Sequence, residues 1–236
     1  MEQRRLVAMG GGGFSMEPEN TLLDTFVLSL ARSSCPRICF LPTASGDDDG
    51  YVARFYRAFS AFGCRPTDLQ LFNRTIDDLE AFVLAQDVIY VGGGNTANML
   101  AVWDVHGLDR VLARAWADGV VLCGLSAGMN CWFEASVTDS FGADELAPLP
   151  SGLGLLPGSC CPHYDGEEQR RPAFRRFIES GELSGGWAAE DGAALVFSGT
   201  TLEEVVSSRA SASAYRVDRS NSGVTERRLD ARYLGT

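Results

Sequence analysis

The 236-residue chain carries 31 Asp and Glu against 20 Lys and Arg, and the formal net charge of −11 disfavours nucleic acid or an anionic membrane as its main partner. Its length suffices for one sizeable core and no Pro/Ser-rich or charged linker divides it, so residues 1–236 are expected to form a single domain. No apolar run reaches the ~20 residues of a membrane span, MEQRRLVAMGGGG is too short for a secretory signal, and seven cysteines without C-x-x-C spacing suggest reduced thiols rather than disulfides or zinc, so a cytoplasmic protein is expected.

Four apolar runs end in small or polar residues that halt a strand: LVAMGGGG (6–13), RICFLPTASGDD (37–48), DVIYVGGGN (87–95) and GVVLCGLSAG (119–128). Each reads as a buried parallel strand. Between them Leu22, Leu23, Phe26, Val27 and Leu30 share a helical face, Tyr51 to Phe62 carries aromatics at similar spacing, and His106 to Trp116 closes the next crossover. Strand alternating with helix predicts a three-layer α/β fold, a mostly parallel sheet flanked by helices. After about residue 185, WAAEDGAALVF and SAYRVDRSNSGVTERRL each place a turn between apolar or alternating stretches, so C-terminal β-hairpins are expected to finish the sheet.

Ligands of such sheets collect outside the carboxyl ends of the strands, which gathers Gly10–Gly13, Thr43–Ser45, Gly92–Asn95 and Ser126 on one edge. In GLSAGMNCW, Gly124, Ala127 and Gly128 supply the small neighbours that a nucleophile elbow needs around Ser126. The turn into a helix exposes the Ala127 N–H to a tetrahedral oxyanion, and the bare backbone of Gly93 or Gly94 offers a second donor. Cys123, three residues earlier, reads as core.

A serine nucleophile needs a base, and the chain has two histidines. His106, in VWDVHGLDR, reads as a solvent-facing residue near a helix start, which leaves His163, in the polar loop CCPHYDGEE after the apolar stretch GLGLLPG. The imidazole needs an acceptor to fix its tautomer; Glu190, Asp191, Asp139 and Asp165 are the candidates, with Glu190 narrowly ahead because it ends an apolar stretch at a sharp Asp-Gly turn.

Two other signals compete. GGGNTA (92–97) fits G-x-G-x-x-A after a strand, so a dinucleotide-binding oxidoreductase is the rival reading, although the next strand ends without the acid that would hold a ribose. GDDDG (46–50) reads as a solvated loop, and neither a metal nor a cofactor is expected. A noncatalytic protein of the same fold is a third reading, disfavoured because serine, histidine and acid are retained together.

YVGGGNT, GLSAGMN, PHY and AAEDGAAL, in this order, resemble the peptidase E (aspartyl dipeptidase) family of serine peptidases, which includes the cyanophycinases. The likeness runs from the first strand to about residue 200, with 37 residues from Ser126 to His163 and 27 more to Glu190. It implies a flavodoxin-like or class I glutamine amidotransferase-like sheet and a Ser126–His163–Glu190 triad that cleaves short peptides, with Asp-X dipeptides as candidate substrates. The order serine, histidine, acid sets it apart from α/β-hydrolases, where the acid precedes the histidine.

Recognition of an N-terminal aspartate asks for a cation and for an acceptor of the free amino group. Arg170 and Arg171 in DGEEQRRPAF either grip a substrate carboxylate or begin a solvated helix, and Asp139 either meets the amino group or caps a turn. Asn95 and Tyr164, beside the glycine loop and the histidine, complete the substrate-binding candidates. NCWFEASVTDSFG and LLPGSCCPHYDGE depart from the aspartyl dipeptidase pattern and suggest a distinct branch. The expected partner is a small peptide, bound by a monomer or homodimer, with no nucleic acid or membrane involved.

Overall fold

The computed structural model describes residues 4–142, 145–221 and 223–235. In chain order the strands are β1 (Arg5–Met9), β2 (Arg37–Leu41), β3 (Arg65–Asp68), β4 (Val88–Val91), β5 (Val121–Leu125), β6 (Phe133–Thr138), β7 (Ala147–Leu149), β8 (Leu156–Cys161), β9 (Gly186–Ala189), β10 (Ala193–Ser198), β11 (Thr201–Ser207), β12 (Ala214–Ser220), β13 (Gly223–Leu229) and β14 (Arg232–Tyr233). The α-helices are α1 (Gly13–Met16), α2 (Leu22–Ser29), α3 (Asp49–Phe59), α4 (Leu79–Leu84), α5 (Thr96–His106), α6 (Leu108–Ala117), α7 (Ala127–Asn130) and α8 (Arg170–Ser180).

Two sheets form rather than one. The first has the order β14-β11-β10-β1-β5-β4-β2-β3, and its middle and one flank, β1, β5, β4, β2 and β3, are parallel. β4 and β5 are buried at every residue, as the unbroken apolar runs predict for strands covered on both faces. Alternation along β1 assigns the faces: Val7 and Met9 pack with Phe14, Leu23, Val27 and Phe55 of α1, α2 and α3, whereas Leu6 and Ala8 pack toward Met99, Trp103 and Leu112 of α5 and α6.

The second sheet, β13-β12-β9-β8-β6-β7, adds Phe133, Leu156, Ala189 and Ala214 to the core shared with α5 and α6. Its other face is covered by α8, whose Ala173, Phe174, Phe177 and Ile178 meet Val137, Cys161, Ala188 and Val217. The α/β architecture is therefore as expected, with more β structure on one side than a simple three-layer sandwich. Among the described residues no helix is long and apolar enough to cross a membrane.

Three local expectations are corrected. WAAEDGAALVF is not a hairpin: β9 pairs with β8 and β12 in the second sheet and β10 with β1 and β11 in the first, so Glu190–Gly192 steps from one sheet to the other. The hairpins that do form are β10–β11 and β12–β13; the second closes with Ser220 opposite Gly223, and Ser222 of that turn lies outside the described residues. His106 ends α5 half-buried rather than standing near a helix start, and the crossover is two helices broken at Gly107, whose φ of +69° stops α5. GDDDG is also more than a solvated loop: Asp47 accepts the Leu71 and Phe72 N–H groups at 2.6 and 2.8 Å, and Asp48 caps α3 through Tyr51 N–H at 2.6 Å.

Candidate active site

β5 delivers Ser126 directly to the N-terminus of α7. Ser126 has φ 57° and ψ −113°, a sparsely populated conformation for a residue with a side chain. Two groups of hydrogen bonds hold it: its N–H donates to the Met9 carbonyl at 3.3 Å, and its own carbonyl accepts from Met129 and Asn130 N–H, both at 2.9 Å. The bend is tight enough to require glycine on both sides. A Cβ on Gly124 would stand 2.6 Å from the Gly128 carbonyl oxygen, and one on Gly128 would overlap the Val91 carbonyl. From Val120 to Phe133, Ser126 is the one residue that is not buried, so its hydroxyl is the group a solute can reach.

His163 follows β8 by way of Pro162 and has φ 53°, a second strained side-chain-bearing residue. Its Nδ1 lies 2.7 Å from Asp191 Oδ1, with both side chains nearly buried. A carboxylate at Nδ1 favours the tautomer with the proton on that nitrogen and leaves Nε2 free to accept one. The Asp191 N–H in turn donates to Asp165 Oδ1 at 2.8 Å.

These groups come from three separated parts of the chain and are stitched to three consecutive residues at the end of β1. Met9 carbonyl takes the Ser126 N–H, Gly10 carbonyl takes the His163 N–H at 3.1 Å, and Gly11 carbonyl takes the Gly192 N–H at 3.1 Å while Gly11 bridges Asp191. Gly11 also admits the pair: a Cβ there would overlap Asp191 Oδ1 and sit 3.0 Å from His163 Nδ1. The first glycine cluster, expected on the ligand edge of the sheet, is thus the frame on which Ser126, His163 and Asp191 are registered.

The family model of peptidase family S51 matches residues 6–205. The chain belongs to peptidase family S51. A Bacillus subtilis relative, uncharacterized peptidase YgaJ, is 53% identical over 232 residues, 98% of this chain and all of that one. Peptidase E of Streptomyces coelicolor is 29% identical over 177 residues, covering 69% of this chain and 71% of its own. The crystal structure of a peptidase from an acI-B1 actinobacterium shares the fold with a TM-score of 0.70 at 19% identity, over 97% of this chain and 95% of that one. The family likeness carried by YVGGGNT, GLSAGMN, PHY and AAEDGAAL is borne out, and the chain is a peptidase rather than a dinucleotide-binding oxidoreductase.

Within this S51 peptidase the carboxylate that meets His163 is that of Asp191, one residue after the expected Glu190. Glu190 does not face His163; its two oxygens accept the Ser213 N–H and the Tyr215 hydroxyl, each at 2.7 Å. Burial and that bond to Glu190 push the Tyr215 hydroxyl up to about 12, so it remains a donor. Beyond the end of β9, Glu190 thus serves the Ser213–Tyr215 segment while the next residue, Asp191, serves the histidine.

The glycine loop after β4 packs against the elbow, since a Cβ on Gly93 would lie 3.3 Å from Ser126 Cβ. Gly93 is not the free oxyanion donor expected, because its N–H donates to Tyr51 Oη at 3.2 Å. Gly94 N–H makes no hydrogen bond among the described residues. Ala127, first in α7, carries an N–H without an intrahelical acceptor. Asn95 is occupied structurally, with Oδ1 capping α5 at Asn98 N–H (2.9 Å) and Nδ2 donating to the Ser140 carbonyl (3.0 Å).

The other substrate-binding candidates are largely tied up within the protein. Arg170 is buried, with Nε on Glu167 Oε2 at 2.7 Å, Nη1 on the Val137 carbonyl at 3.1 Å and Nη2 3.6 Å from Asp139. Arg171 pairs with Glu226 and lies over the rings of Tyr164 and Tyr215. Tyr164 is 2% exposed, its hydroxyl donating to Glu226 at 2.7 Å, so it braces α8 rather than facing a substrate. Asp139 keeps a side chain 55% exposed with Arg170 as its ionic partner, and among the described residues its carboxylate caps no turn. Cys123 is buried and burial raises its thiol far above the usual range, consistent with a core residue.

Proposed function

We propose that the chain is a serine peptidase in which Ser126, His163 and Asp191 form the catalytic triad. Ser126 Oγ attacks the peptide carbon, His163 Nε2 takes the hydroxyl proton and later passes it to the leaving amine, and Asp191 stabilises the imidazolium between these steps. The N–H groups of Gly94 and Ala127 receive the oxyanion. The 2.7 Å His163–Asp191 bond, in a frame that also fixes the strained Ser126, is the observation that carries this reading.

The substrates are short peptides, as the family resemblance implies. With Arg170 buried on Glu167 and Arg171 paired with Glu226, each guanidinium already has a carboxylate partner within the protein, so Asp-X dipeptides are cleaved no better than dipeptides with neutral N-terminal residues. A dipeptide panel assayed with the wild type and Ser126→Ala tests both points. Turnover is expected to fall at least about 10³-fold in the variant, with no preference for Asp-X in the wild type. Turnover that survives the loss of Ser126 refutes the nucleophile, and a tenfold advantage for Asp-X refutes the specificity.

A further inference from the structure

We propose that Tyr51 is a positioning residue for the oxyanion loop, its hydroxyl fixing Gly93 so that the next N–H, that of Gly94, faces the carbonyl attacked by Ser126. This rests on the serine-peptidase reading. The phenol is itself rigidly held. Tyr51 lies in the first turn of α3, where Asp48 accepts its N–H, and is 5% exposed. Its ring packs 4.9 Å from Phe40 and 5.6 Å from Phe14, with the Arg54 guanidinium 5.0 Å from its centroid.

The loop is shaped to receive this ring. A Cβ on Gly92 would stand 3.0 Å from both Tyr51 Cε1 and the Phe40 ring, so the glycine backbone lies flat against the aromatic pair. Backbone bonds fix the two ends of the loop: Gly92 N–H reaches the Leu41 carbonyl at 3.1 Å and Asn95 N–H the Ala44 carbonyl at 2.8 Å. Between these anchors Gly93 is held by Tyr51 Oη. Removing the hydroxyl frees the peptide that precedes the Gly93–Gly94 link to rotate, and oxyanion donors lose most of their effect when misaimed by fractions of an ångström. Burial raises the phenol above its ordinary range, so the contact does not titrate near neutrality.

The test uses diisopropyl fluorophosphate, in which Ser126 Oγ forms a bond to phosphorus, fluoride departs and the serine proton passes to His163. Labelling rates are followed by intact-protein mass for the wild type, Ser126→Ala and Tyr51→Phe, with the tryptophan band of the near-ultraviolet circular dichroism, to which tyrosine does not contribute, as a check on packing. The wild type is expected to label once, Ser126→Ala not at all, and Tyr51→Phe at least about tenfold more slowly, with unchanged dichroism and an unchanged midpoint in the pH profile of labelling. On a cleaved dipeptide the same variant lowers kcat with little change in KM. Labelling of Tyr51→Phe within twofold of the wild type overturns the positioning role alone, as does a slower rate accompanied by lost dichroism or a shifted pH midpoint. Failure of the wild type to label at Ser126 overturns this role together with the serine-peptidase reading.

Discussion

Asp191 occupies a seat that only glycines leave open. Gly11 borders one of its carboxylate oxygens and Gly166 the other, and a Cβ at either position would overlap the oxygen it faces. Gly11→Ala and Gly166→Ala should therefore push the carboxylate off His163 without touching Ser126, lowering kcat by about 10²-fold or more while the protein remains folded. Steady-state kinetics with a thermal melt checks this, and wild-type turnover in both variants removes Asp191 from the mechanism. Ser126 was legible in the sequence because an elbow demands small neighbours, and His163 because only one other histidine exists. The choice between Glu190 and Asp191 was not, because it depends on the Gly11 bridge, a contact between residues 180 apart in the chain.

At the scale of elements, the parallel strands and the helices between them follow from unbroken apolar runs and helical periodicity, which are local signals. The second sheet was not legible in the same way. β6, β7 and β8 are mixed in polarity, and the Asp-Gly turn that reads as a hairpin instead carries the chain between sheets, because β9 and β10 each pair with strands elsewhere. Arg170 ties this sheet to the histidine loop, joining the Val137 carbonyl at the end of β6 to Glu167. Arg170→Ala leaves that buried carbonyl without its donor, and a loss of about 2 kcal/mol is expected, seen as a melting temperature lowered by roughly 4–8 °C. Rates on Asp-X and neutral dipeptides should fall in equal proportion. A selective loss on Asp-X, with the melting temperature unchanged, would return Arg170 to the substrate.

Among the described residues Asp24 is the most deeply buried acid, and the site does not use it. Asp24 of α2 is 1% exposed, and neither of its oxygens is hydrogen-bonded. It lies close to the Tyr90 hydroxyl, both crowding the space beside Gly13, but without hydrogen-bonding geometry. Burial raises its carboxyl to about 7. An unfolded aspartate ionises near 4, so the folded state binds this proton more tightly. The contribution to stability is full below about pH 4 and is lost as pH rises through about 7. Urea denaturation of the wild type and Asp24→Asn at pH 5 and pH 8 should show the variant gaining relative stability at the higher pH. A difference between the two proteins that does not change with pH would show that Asp24 is not buried as an acid. No sequence pattern marks this residue, since an aspartate in the first turn of a helix ordinarily faces water.

Choice of the acid is the point on which the catalytic account turns, and exchanging each neighbouring carboxylate for its amide isolates it. Turnover of a cleaved dipeptide should fall about 10³-fold or more in Asp191→Asn and stay within about fivefold of wild type in Glu190→Gln, whose carboxylate serves Ser213 and Tyr215. The reverse pattern, with Asp191→Asn active and Glu190→Gln inert, would contradict the account.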